Sequence, residues 1–206
     1  MSHLDAAMRT RAEALIALYP EARSAIIPLC HLAQEQDGYL SEPAMVEIAS
    51  MVGATAAEVR GTASFYDMLH LEPVGTYLVG VCTNIACLLA GGLELLEHAS
   101  EALGINTGAT TEDGVFTLEE TECLADCDVA PCVQVNHRYV RTTTPSALDE
   151  LFAELRAGQR SGEIPNHGTL IRTQRTVGLM ADATEVKAER QHARAAAEAR
   201  ASEKSA

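Results

Sequence analysis

Hydrophobic residues make up 47% of this 206-residue chain, enough for one good core or for a domain with an accessory segment, so a chain disordered throughout is excluded. The net charge of -14 is uneven: from Arg156 onward nine Lys and Arg stand against six Asp and Glu, whereas residues 1–155 hold six against 23. No Lys or Arg lies between Arg60 and Arg138, and such a surface repels phosphate backbones and anionic lipid, so nucleic acid is not expected as a partner.

The opening residues, MSHLDAAMRTRAEALIALYP, lack an apolar run long enough for a signal peptide. No stretch approaches the roughly 18 apolar residues that a membrane span needs, so direct membrane insertion is not expected. These features predict a cytoplasmic protein with reduced thiols, whose six cysteines read as ligands, catalysts or core residues rather than as a disulfide frame.

The first 70 residues read as helices. DAAMRTRAEALIALY has apolar residues at helical spacing and is stopped by Pro20. EARSAIIPLCHLAQEQDGYL continues the pattern, with a kink expected at Pro28 and a stop at Gly38. Ser41 caps PAMVEIASMVG, which ends at Gly53, and Thr55 caps AAEVRGTASFYDML. Two short helices joined by Gly-Ala-Thr look like a helix-turn-helix, but the second carries only Arg60 as a base, which favours a packing unit over a DNA reader.

From Val74 the pattern changes. TYLVGVC is a buried-strand run ending on Cys82, LAGGLELLEHASEALG is an amphipathic helix closed by Gly104, and FTLEETEC alternates as a second strand. VQVNHRYV predicts a hairpin turning at Asn136 to Arg138, and Pro145 or Ser146 starts a last helix with Leu148, Leu151, Phe152 and Leu155 on one face. Strand, helix, strand, strand, helix predicts a small α/β domain, and the βαβ half makes its two strands parallel. The chain thus divides into an N-terminal helical domain, residues 1–73, an α/β domain, 74–158, and an extended or partly helical tail, 159–206, without core pattern and expected to be mobile.

Cys82 and Cys87 are four residues apart in VCTNIACLL, and Cys123 and Cys127 three apart in ECLADC. Each pair is expected in a loop directly after a strand; if those strands are parallel neighbours, four thiolates emerge at one end of the sheet. Structural zinc usually draws on pairs separated by two to four residues, so zinc stays open. A [2Fe–2S] cluster places two cysteines on each iron, which suits wider loops, and stays open as well. The Cys-x-x-Cys of a redox dithiol does not occur. Cys127 and Cys132 form a possible second pair, but Cys132 opens the strand CVQVN and is expected as a small core or interface side chain, as is Cys30 within its helix.

GTYLVGVCTNIAC and ECLADCDVAPCVQVN, with HLAQEQDGYLSEPAM and SFYDMLHLEPVG before them, resemble the E subunit of bacterial NADH:quinone oxidoreductase over residues 10–157. Related small subunits occur in NAD-reducing hydrogenases and NAD-dependent formate dehydrogenases. The resemblance implies an α+β chain: a helical bundle followed by a thioredoxin-like α/β domain holding one [2Fe–2S] cluster on Cys82, Cys87, Cys123 and Cys127. It also implies docking on a flavoprotein subunit that carries FMN and oxidises NADH, with further iron–sulfur subunits, on the cytoplasmic side of the inner membrane. Such a chain is an oxidoreductase subunit, not catalytic in isolation; it has no G-x-G-x-x-G turn for NADH of its own. A zinc-stapled binding module built on the helix-turn-helix is the alternative of a different class. Two departures stand out: Ala125 and Asp126 replace a glycine and a small residue frequent in the second loop, and Cys132 replaces an aliphatic residue.

With such a cluster, each carboxylate of Asp126 and Asp128 disfavours an added electron. Replacing both by Asn is expected to raise the midpoint potential, on the order of tens of millivolts per charge before salt screening; a redox titration giving an unchanged or lower value would defeat this.

Overall fold

The structure is a computed structural model that describes residues 3–168. Helix α1 (Ala6–Ile16) is capped by the Asp5 side chain, which accepts from the Met8 N–H. Pro28 does not interrupt the second helix. A 3-10 turn takes up Ala22–Ala25, so α2 (Ile26–Asp37) begins late and Pro28 falls in its first turn, where a missing N–H has no helical partner to lose. Gly38 closes α2 at φ +79°, a conformation open to glycine.

Helices α3 (Glu42–Val52) and α4 (Ala56–Ala63) start at the expected caps, Ser41 on the Ala44 N–H and Thr55 in a reciprocal box with Glu58. Met45, Ile48 and Val52 of α3 bury with Val59 and Ala63 of α4 against Leu29, Leu32 and Leu40. The pair packs its inner faces into the helical core. Helix α4 stops at Ala63, short of SFYDML, and leaves Phe65 exposed.

Strand β1 (Tyr77–Cys82) is the central strand of a four-stranded sheet ordered β2-β1-β3-β4. It pairs in parallel with β2 (Phe116–Thr121), Tyr77 opposite Phe116 through Cys82 opposite Thr121, and antiparallel with β3 (Val133–Val135). All six β1 residues are buried. Strand β4 (Arg138–Val140) returns from β3 through Asn136 and His137, both at positive φ, the turn that matches the right-handed strand twist.

The helix expected from Leu89 to Gly104 begins later, as α6 (Gly92–Leu103), and a short α5 (Ile85–Leu89) precedes it in the segment expected as a loop. Helix α6 and α7 (Pro145–Arg156) bury Leu95, Leu103, Leu148 and Phe152 with Val79, Phe116 and Leu118 in a second core. The turns after Gly158 were expected to contribute nothing to a core, yet Ile164 is 2% exposed within this one. The buried Asn136 holds that segment: its carboxamide accepts from the Leu78 N–H and donates to the carbonyls of Thr76 and Pro165. The rest of the expected tail lies outside the described residues. No helix among the described residues is long and apolar enough to cross a membrane.

The His167 N–H donates to the Thr76 carbonyl, and its ring meets that of His70 edge-on at 4.8 Å. Burial, then the charges of His70 and His137, push His167 down to about 4; His31, His70 and His137 are also lowered, chiefly by burial. Between pH 6.5 and about 4 the unfolded chain therefore binds more protons, so stability is full above 6.5 and falls as pH drops, by up to about 3 kcal/mol for His167 alone. His167→Phe is expected to flatten part of this acid limb. Equal pH slopes of the melting temperature in the two proteins would show that His167 is not the source.

Candidate metal centre

The parallel register places Cys82 opposite Thr121, so the segments carrying Cys87 and Cys123 leave the sheet at the same end. Several bonds tie the two exits. The Thr83 N–H donates to the Thr121 carbonyl at 3.1 Å, its hydroxyl to the Glu120 carboxylate at 2.6 Å, and the Cys82 thiol to the Glu122 carbonyl at 3.6 Å. On the other side the Cys82 N–H donates to the Cys132 carbonyl at 3.0 Å.

Cys87 was expected in a loop but lies in α5, behind Asn84, whose side chain accepts from the Ile85 N–H. Two glycines follow this helix. A Cβ on Gly92 would come within 2.7 Å of the Cys82 carbonyl oxygen and 2.8 Å of that of Cys87, so only glycine lets α6 begin against both cysteine carbonyls. The pair Gly91-Gly92 is the signal in the sequence for this break.

Cys123 and Cys127 are exposed, Cys127 opening a 3-10 turn, Cys127–Val129. Between them Leu124 is buried, and its carbonyl accepts from the Tyr139 hydroxyl of β4. Ala125 sits at φ +57°, a left-handed backbone that costs alanine roughly 1 kcal/mol and that glycine adopts freely. Ala130-Pro131 is a cis peptide.

Cys132 is buried at 3% exposure, as expected of a small core side chain, and it lies against the first cysteine segment: its Sγ is 3.5 Å from that of Cys87, and its N–H points at the same sulfur at 3.4 Å. The strand expected to open on it begins one residue later, at Val133. Its thiol donates to the Asp126 carbonyl at 2.8 Å, and burial followed by Cys87 pushes it up to about 12. Cys30, by contrast, packs in the helical core.

All five cysteines at this end of the sheet are free thiols. Among the described residues no three His, Cys, Asp or Glu close into a compact group for a metal ion. Thiols rising from two chain segments, without a disulfide between them, fit a thiolate-held cluster in their chemistry. The surroundings are negative: Asp67, Glu119, Glu120, Glu122 and Cys123 line a groove of about 790 Å3. The hydrogen bond that a protonated Asp126 donates to Asp128, then burial, raises the Asp126 carboxyl above its usual range.

Residues 12–156 match the thioredoxin-like [2Fe-2S] ferredoxin family. The E subunit of the NADH-quinone oxidoreductase of Mycobacterium tuberculosis is 43% identical over 74% of this chain and 60% of that protein. The corresponding NADH-quinone oxidoreductase subunit of Thermus thermophilus, numbered 2 there, is 43% identical over 74% of this chain and 86% of that one. The chain thus spans about 60% of the length of its mycobacterial relatives. An NAD+-reducing [NiFe]-hydrogenase shares the fold at a TM-score of 0.61, with 23% identity over 68% of this chain and 24% of that chain. The chain belongs to the thioredoxin-like [2Fe-2S] ferredoxin family.

Proposed function

We propose that this chain is the electron-transfer subunit of an NADH:quinone oxidoreductase, holding one [2Fe–2S] cluster through Cys82, Cys87, Cys123 and Cys127. The observation that carries the reading is the emergence of both cysteine pairs at one end of two parallel strands, in a chain of this family. The bound cluster supplies a one-electron store. Cys82 and Cys87, buried at the sheet end, hold one side of the site, and Cys123 and Cys127 supply the exposed side. Gly92 brings the start of α6 against the carbonyls of Cys82 and Cys87, and Tyr139 steadies Leu124 between the other two cysteines.

In this reading NADH and FMN belong to a flavoprotein partner, and further iron–sulfur subunits carry the electron onward, on the cytoplasmic side of the inner membrane. The names of the relatives, subunits of NADH-quinone oxidoreductase, support this. The equivalent subunit of an NAD-reducing hydrogenase is the second reading, supported by the fold of that enzyme. Separate domains at 1–73 and 74–158 are supported by two distinct buried clusters, one from Leu4 to Leu69 and one from Tyr77 to Ile164.

Protein purified without air is expected to hold two irons and two sulfides per chain and to give a rhombic EPR signal after dithionite. Cys82→Ser, Cys87→Ser, Cys123→Ser and Cys127→Ser should each lose or alter that signal, whereas Cys30→Ala and Cys132→Ala should keep it. One zinc without sulfide would overturn the cluster, and loss of the signal in Cys132→Ala alone would overturn the ligand set. The isolated chain is expected to reduce no acceptor with NADH.

A further inference from the structure

We propose that Cys87 and Cys132 are an oxidisable dithiol, joined as a disulfide in the cluster-free chain, and that this bond withholds Cys87 from cluster assembly. The consequence for assembly rests on the ligand role proposed for Cys87; the pairing itself does not. The two sulfurs lie 3.5 Å apart, in one apolar cluster with Cys82, Leu124 and Ala130. A disulfide needs about 2.05 Å, so the sulfurs must approach by roughly 1.5 Å, within the reach of small side-chain rotations. Both partners are held by their backbones. Cys87 sits in α5 under the start of α6, and the Cys132 carbonyl is fixed by the Cys82 N–H. The Cys132 N–H aimed at the Cys87 sulfur holds the pair in register. By contrast, Cys123 and Cys127 are exposed.

A small-molecule disulfide such as oxidised glutathione serves as the oxidant. One protein thiolate attacks a glutathione sulfur, forming a mixed disulfide and releasing the first glutathione thiolate. The second protein thiolate then attacks the protein-side sulfur and releases the other. Two protein thiols give up two electrons and two protons, one S–S bond forms in the protein and one breaks in the oxidant. A dithiol reductant reverses the sequence and returns Cys87.

The test uses the full chain, reduced, freed of metal under argon, exposed to oxidised glutathione, alkylated and cut after glutamate. Residues 61–137 contain no Lys or Arg, so trypsin would leave all five cysteines on one peptide, whereas cleavage after Glu58, Glu94, Glu122 and Glu150 separates 59–94 from 123–150, the Glu72–Pro73 bond staying intact. A cross-link between these peptides is expected in wild type, Cys82→Ser, Cys123→Ser and Cys127→Ser, and is expected to vanish in Cys87→Ser and in Cys132→Ala. The oxidised wild type should lose most of its iron and sulfide uptake until dithiothreitol is added, while oxidised Cys132→Ala keeps most of it. Glutathione adducts on Cys123 and Cys127 without the cross-link, or a cross-link that survives in Cys132→Ala, would overturn the pairing. A reduced chain that loads its cluster but never cross-links defeats this inference alone. A cross-linking chain that loads no cluster when reduced keeps the dithiol and defeats the electron-transfer reading.

Discussion

The parallel pairing of β1 with β2 is the constraint on which the rest of this molecule depends. A parallel pair cannot be closed by a tight turn, so the chain must cross over the sheet, and α6 makes that crossing. With β2 on one side and β3 on the other, β1 has no free edge, and its residues Tyr77 to Cys82 are buried throughout. The same register sets Cys82 against Thr121 and so delivers both cysteine segments to one end of the sheet.

The segments at that end are held by backbone fit more than by side-chain packing. Gly92 admits the cysteine carbonyls to the start of α6, and Ala125 accepts a left-handed backbone that glycine would adopt without strain. The carbonyls of Glu122, Leu124, Asp126 and Cys132 are each engaged by a thiol, a hydroxyl or an N–H from another segment. A site built of such bonds keeps its loops in place while leaving Cys123 and Cys127 at the surface. The carboxylates around the groove set the electrostatic sign of that surface.

The helical residues are organised around buried apolar side chains and one buried amide. Gln34 donates to the Met68 carbonyl and accepts from the His70 N–H, so α2 holds the connection that leads toward the sheet. Among the described residues the ring nitrogens of His167 find no hydrogen-bond partner, and burying them is tolerated only while the imidazole is neutral. Stability at this place is thus tied to pH by the same burial that seats Ile164 in the core.

The sequence alone determined the local events: the caps at Ser41 and Thr55, the stops at Gly38 and Gly53, the strand runs, the hairpin at Asn136 and the amphipathic face of α7. These depend on neighbours within about four positions, or on a period of 2 or 3.6, and such patterns are written in consecutive residues. The two cysteine pairs and their meeting end were legible too, because a strand-helix-strand order forces parallel pairing. Only the tertiary structure decided that Cys87 rides on its own short helix, because that break depends on how closely Gly92 approaches two carbonyls. It alone decided that β3 pairs with β1, and this long-range pairing carries Cys132 to Cys87 across 45 positions. The burial of Ile164 and His167 was likewise unreadable, since one apolar residue among turns has no period, and its place is set by Asn136 and Thr76 far back in the chain.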